Sequence, residues 1–247
     1  YTERNSPIFH RDSDFEVFVD PSGSCHHYKE LELNALNTVW NLMLNKPYAD
    51  GGAEHSGRVA APSDPLHYEV SLQRTATRLL SGSLNGAGGG VWAVEIALSH
   101  SVLMHRSRGA QRPAVGRRWR INSSRVERRG ETNWVWQPQR AWDAHTMRFR
   151  GVVDMHLPES WGYLHFANER ADASPTHEDP LWPARVAASC CYHAQHAHRQ
   201  LHGSFATDLR HLCVDEAALA PFEVTCTIRQ RPADDSPASE QPPPRGD

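Results

Sequence analysis

The sequence predicts an antiparallel β-sandwich followed by a small α+β appendage, and three observations carry that prediction. Apolar and polar residues alternate at Phe15–Val17 and Val19–Asp20 and again at Glu30–Asn34, with Pro21-Ser22-Gly23-Ser24 as a turn between the two runs. The same period of two returns at Trp92–Leu98 and at Trp119–Asn122, with no helical repeat between the alternating runs. A period of two interrupted by Pro and Gly marks antiparallel strands, and several such runs in series suggest a sandwich rather than an α/β sheet. Only Trp182–Leu201 reads as a substantial helix.

The first strand puts Phe15, Val17 and Val19 on one face and Glu16 and Asp20 on the other. After the turn, Leu31 and Leu33 alternate against Tyr28, Glu30, Glu32 and Asn34. An aromatic, two carboxyls and an amide on one face are groups that hydrogen-bond hydroxyls. Further on, Trp92, Val94, Ile96 and Leu98 form an apolar stripe opposite Glu95, and Trp119 and Ile121 form another opposite Arg118, Arg120 and Asn122. Gly86–Gly90 and Gln111–Gly116 read as loops. Residues 1–170 are thus expected to form the sandwich and the polar, turn-rich stretch 171–181 a linker. The appendage is expected over 182–231. Its alanines favour the Trp182–Leu201 helix and Gly203 stands just past its end. Phe205–Leu212 adds a turn of helix, and Phe222–Ile228 alternates like a strand. The Pro-, Ser- and Asp-rich residues 232–247 are expected to be disordered.

The chain has 247 residues, enough for one full domain and a smaller unit, each with its own core. With 26 basic and 29 acidic residues the net charge is −3, and without a basic block or stripe nucleic-acid binding is disfavoured. No apolar run approaches the length of a membrane span. Four of the five cysteines (Cys25, Cys190, Cys191, Cys213, Cys226) fall in the C-terminal third without a metal-type spacing, which reads as buried thiols. A bridge from Cys190 or Cys191 to Cys213 is the alternative in an exported protein.

Seven segments then carry a family likeness: FEVFVDP (15–21), YKELELN (28–34), NKPYADGG (45–52), VWAVEIAL (91–98), WRINSSRVE (119–127), NWVWQPQ (133–139) and MHLPESWGYLHF (155–166). Their order over residues 1–168 resembles the family 9 carbohydrate-binding modules, and more closely the family 9-like proteins related to DOMON domains. The resemblance implies a DOMON-like or jelly-roll-like sandwich that binds a mono-, oligo- or polysaccharide, often beside polysaccharide-degrading systems. It further implies export to the periplasm or beyond, and strands upstream of Tyr1 that this sequence lacks. The stretch YHAQHAHRQLHGSFATDL resembles a helical extension behind the sandwich in some family 9-like proteins.

In that family two tryptophans clamp the sugar while a carboxylate and an amide bind its reducing end. The carboxylate matches Glu16. The first clamp position falls at His10 and the second near Met155, neither a tryptophan, so the clamp is expected to differ. Sugars present apolar C–H faces ringed by hydroxyls, so a site needs an aromatic platform and a few fixed polar groups. The expected carbohydrate-binding set is His10, Glu16, Tyr28, Glu32, Asn34, Arg120, Asn122, Asn133, Trp136 and His156, with His10, Tyr28 and Trp136 as the platform. Trp92, Trp119 and Trp161 are expected in the core. Glu16 also reads as a charged residue on the solvent face of an edge strand.

Two other chemistries compete with non-catalytic binding. A glycoside hydrolase needs two carboxyls, and Glu30 and Glu32 at i and i+2 on one strand have Cα atoms roughly 6.7 Å apart. Such pairs flank the scissile bond at about 5 Å or about 6.5–9.5 Å, however, and these two point the same way. Sixteen histidines suggest metal binding, with His193, His196, His198 and His202 on the candidate helix and His198/His202 at i, i+4. The metalloprotease signature is absent, and no Gly-x-Ser-x-Gly elbow occurs. No cofactor or metal site is therefore expected. A structural calcium, which the resemblance implies for some members, lacks its acidic loop, because Gly86–Gly90 is glycine where relatives carry Asp.

Overall fold

The computed structural model describes residues 1–9, 11–127, 131–143, 145–146, 148–168 and 179–212. The fold is mainly β, with antiparallel sheets and one long helix near the C-terminus. It divides into two compact units, one of Tyr1–Arg140 with Gly151–His177, the other of Ala141–Arg150 with Glu178–Asp247.

In the first unit β1 (Asp14–Asp20), β2 (Tyr28–Asn34), β3 (Val39–Leu44) and the short β4 (Glu54–His55) follow one another as antiparallel neighbours. The long β7 (Arg118–Glu127) pairs with the other edge of β1. Its own outer edge is shared between β11 (Gly162–His165), on residues 118–121, and β8 (Thr132–Val135), on residues 124–127. This places β1 in the middle of a seven-stranded sheet, so Glu16 lies on a central strand and the edge-strand reading is overturned.

One face of that sheet is covered by the hairpin β5 (Arg74–Gly82) and β6 (Gly90–Ala97) and by α1 (His100–Met104). Val94, Ile96 and Leu98 pack on Phe15, Leu31, Leu33 and Val39, giving the sandwich its second, smaller layer. Leu103 and Met104 pack on Val19 and Trp119. The alternation read from the sequence holds here: Phe15, Val17, Val19, Leu31, Leu33, Trp119 and Ile121 all meet this layer. Leu33 is fully buried, and its truncation to Ala would cost about 2–5 kcal/mol. Trp119 and Trp161 are core residues as expected, whereas Trp92 is only half-buried beneath the Arg125 guanidinium, 5.2 Å from its ring.

The opposite face is buried as well. All seven residues of β2 are buried, because Phe18, Tyr28, Trp40, Leu42, Leu44 and Trp161 cluster there with Phe9 and Met155. The two faces of the first strands are therefore both covered, not one half-buried and one polar.

The second unit contains the hairpin β9 (Arg140–Asp143) and β10 (Arg148–Gly151), apart from its end residues Arg140 and Gly151, and α2 (Trp182–His202). Trp142 packs with Ala187, Cys190, Ala194, Ala206 and Leu212. The helix spans the expected residues, starts with Pro183 in its first turn and ends on Gly203 in the left-handed region at φ 76°. A single 3-10 turn at Leu209–His211 follows. Residues 141–150 were expected in the sandwich and are found in this unit. Linker residues 171–178, the Phe222–Ile228 strand, the tail, Cys213 and Cys226 lie outside the described residues. Among the described residues no helix is long and apolar enough to cross a membrane.

Candidate functional site

The inner strands of the main sheet put four carboxyls on one face. Glu16 on β1 stands opposite Glu32 on β2 and opposite Ser124 on β7, while Phe18 stands opposite Glu30. Asp14 lies two residues before Glu16 on the same face, since strand side chains alternate. Glu32 faces Trp40 across the next pairing and Glu30 faces Leu42. Sheet register, not loop conformation, fixes these side chains.

Above them is a cavity of about 480 Å³. Its polar lining includes Glu16, Glu30, Glu32, Asn133, Asp154 and His156. Its apolar lining comes from Phe9, Trp40, Leu42, Tyr48, Val126, Val153 and Met155. The volume falls within the usual range of about 300–1,000 Å³ for small-molecule sites. Tyr48 is its exposed ring, at 47 % exposure, braced edge-on by the His156 ring at 4.6 Å. Trp40 is 3 % exposed, held between Phe9 and the Arg58 guanidinium.

Burial dominates the electrostatics. It pushes the Glu16 carboxyl up to about 7, against the hydrogen bond from the Ser124 hydroxyl. Burial, then the neighbouring charge of Glu16, pushes Asp14 up to about 8, with Arg125 opposing. Glu30 and Glu32 are driven well above the carboxylate range by burial, then by repulsion from the neighbouring carboxylates. Near neutral pH the floor therefore holds a mixture of carboxylic acids and carboxylates, able both to donate and to accept. His156 is held near 4 by burial and is neutral. Its Nδ1 stands 3.0 Å from the Tyr28 hydroxyl, and its Nε2 lies 3.9 Å from Glu30, too far for a hydrogen bond.

Of the residues expected to bind sugar, Glu16, Glu32, Asn133 and His156 come together in this cavity. The other described ones do not line it. Tyr28 is fully buried against Trp161, its rings 5.1 Å apart, and serves the core. Asn34 clamps the β2–β3 turn, its Oδ1 accepting from the Leu36 and Thr38 amides. Arg120 donates to the Trp161 carbonyl at 2.5 Å and stacks on Tyr163. Asn122 ties β7 to the following loop through the Gln137 amide and carbonyl. Trp136 is exposed but sits over Gly162, where an added Cβ would come within 2.7 Å of its ring. Asn34, Arg120 and Asn122 serve backbone groups that need partners, a demand that alternation does not reveal. His10 lies outside the described residues.

Sequence reasoning missed Asp14, Trp40, Tyr48 and Asp154. Asp14 shares a face with Glu16 and was legible from alternation; Trp40 needed the β2–β3 register. Tyr48 lies within the NKPYADGG motif, on the 3-10 turn Tyr48–Asp50, and its orientation is a tertiary fact.

Comparison with protein-family models, with curated proteins and with solved structures finds no match. The cavity has to be read from its own chemistry. An exposed ring beside a row of carboxyls suits a ligand with an apolar face and several hydroxyls. In the second unit His198 and His202 stack at 4.4 Å, and His198 Nδ1 is taken up by the Ser204 carbonyl at 2.8 Å.

Proposed function

We propose that the chain binds carbohydrate, without cleaving it, in the cavity over Glu16, Glu30 and Glu32. The observation that carries this reading is the exposed Tyr48 ring set beside buried carboxyls across a cavity of about 480 Å³. The ring offers a stacking surface, and the carboxyls and His156 offer fixed partners for hydroxyls. The likeness of its motifs to family 9-like modules supports the same reading, although the aromatic platform is Tyr48 rather than Tyr28 or Trp136. The ligand is a mono-, oligo- or polysaccharide. The family 9-like modules that the motifs resemble are exported proteins, so export is part of the same proposal.

Binding is favoured over hydrolysis because Glu30 and Glu32 extend from the same face of one strand instead of facing each other across a cleft. Hydrolytic pairs leave room for a glycosidic bond between carboxyls about 5 Å or more apart. Calorimetric titration against a panel of saccharides, with a reducing-sugar assay on the same protein, tests the proposal. Binding that weakens in Tyr48→Ala, with no sugar released, is the expected result. Release of sugar that disappears in Glu30→Gln would make the protein a glycosidase, and unaltered affinity in both Tyr48→Ala and Glu16→Gln would remove the site.

A further inference from the structure

The inner edge of the carboxyl row has an unmet demand. Asp14 is fully buried, and neither of its carboxyl oxygens has a hydrogen-bond partner; Glu32, 2 % exposed, leaves Oε2 equally bare. The Arg125 guanidinium does not hydrogen-bond them: its Nη1 donates at 2.7 Å to the backbone carbonyls of Asp14 and Val126 instead. Protonating Asp14 would not answer the demand, since a buried acid still has one O–H and one carbonyl oxygen to satisfy. One oxygen each from Asp14, Glu16 and Glu32 lie within 4.8 Å of one another. Oxygens that share one calcium ion at about 2.4 Å are at most about 4.8 Å apart, so the three fall within reach of a single ion.

We propose that Asp14, Glu16 and Glu32 hold one hard divalent cation on the floor of the cavity. All three donors are carboxyl oxygens, which select calcium, magnesium or manganese over softer metals. Calcium fits best, because it accepts six to eight oxygens in irregular geometry, and the adjoining cavity leaves room for water to complete the shell. Asp14 and Glu16 come from one strand and Glu32 from its partner, directly opposite Glu16. The ligands are therefore preorganised by the register of two central strands. This differs from a loop-held structural calcium, and it stands whether or not the cavity takes sugar.

Calcium titration of chelator-treated protein by calorimetry tests the site without any saccharide. Terbium is the optical probe, because Trp40 lies across from Glu32 and should sensitise its emission. One ion per chain is expected, with a higher melting temperature in calcium. Asp14→Asn and Glu32→Gln should each weaken calcium at least tenfold, while Glu69→Gln, which alters a carboxylate paired with Arg4 elsewhere, should not. Circular dichroism of each variant establishes that it is folded, and two ligand variants guard against one failing to fold. Trp40→Phe should lose terbium emission and keep the calcium heat. Absence of a one-to-one calcium isotherm, or unchanged affinity in folded Asp14→Asn and Glu32→Gln, would overturn the site. Saccharide titrations repeated in calcium and in chelator report separately on the carbohydrate reading.

Discussion

At the scale of the residue, the decisive side chains are charged groups with little water around them. Glu16 accepts from Ser124 and lines the cavity, so Glu16→Gln keeps its size and loses the charge-assisted bond to a ligand hydroxyl. A loss of about 1.5–3 kcal/mol is expected, or roughly ten- to hundredfold in Kd by calorimetry. Trp136→Ala, which alters a residue outside the cavity lining, should leave Kd unchanged in the same titration. Lys29 shows the opposite sign of burial. It is 1 % exposed on the far face of the sheet and donates to the His27 carbonyl at 2.6 Å, the His105 carbonyl at 2.7 Å and Ser107 Oγ at 2.5 Å. Burial lowers it to about 7 from 10.5, with Asp20 opposing and Arg106 assisting. Below pH 7 the ammonium is charged in both states and its desolvation penalty is fully present. Between about 7 and 10.5 the unfolded chain holds a proton that the native chain has released, so stability rises with pH. The expected slope is about 1 kcal/mol per pH unit, read as the difference between wild type and Lys29→Met in urea denaturation across that window.

At the scale of the element, turns and helix ends are where the chain states its intentions most locally. Pro21-Ser22-Gly23-Ser24 marks a turn in any reading, but the device that holds it is Asp20, on the last residue of β1. Its Oδ1 accepts from the Ser22 and Gly23 amides at 3.0 and 2.9 Å, and its Oδ2 from the Cys25 amide at 2.8 Å. Asp20→Ala should cost at least about 1.5–3 kcal/mol in chemical denaturation, with Asp20→Asn recovering part of it. Asn34 performs the matching task at the next turn. Both residues sit on the polar face of a strand, and by alternation alone they cannot be distinguished from Glu16 or Glu32. Alternation assigns a face; it does not say whether a backbone amide or a cavity lies beside it. The α2 helix was legible to within a residue because its alanines favour helix and Gly203 ends it through its own φ angle.

At the scale of the whole molecule, the two units have separate cores. Trp142 belongs with Ala187, Cys190 and Ala194, although its neighbours in sequence lie among the sandwich motifs. Trp142→Ala should therefore cost the second unit about 3–5 kcal/mol while leaving ligand affinity in the first unit intact. Hydrogen exchange that quickens in α2 but not in β1 or β2 would bear this out; weakened binding in the same variant would show that the units depend on each other.

What the sequence alone determined is the part governed by local physics. A period of two selected the strands, an alanine-rich run ending before a glycine selected α2, and opposite characters on the two faces of β1 and β2 marked out the acidic row. What tertiary structure decided is which polar groups have water, backbone or open space beside them. The pairing of β7 with β1 made Glu16 central and buried, and the register of β2 with β3 set Trp40 opposite Glu32. Folding of the segment near residue 155 over that face enclosed the cavity. These are contacts between residues far apart in the chain. Their energies depend on burial and on the company each charge keeps, and neither quantity is a property of a residue and its immediate neighbours.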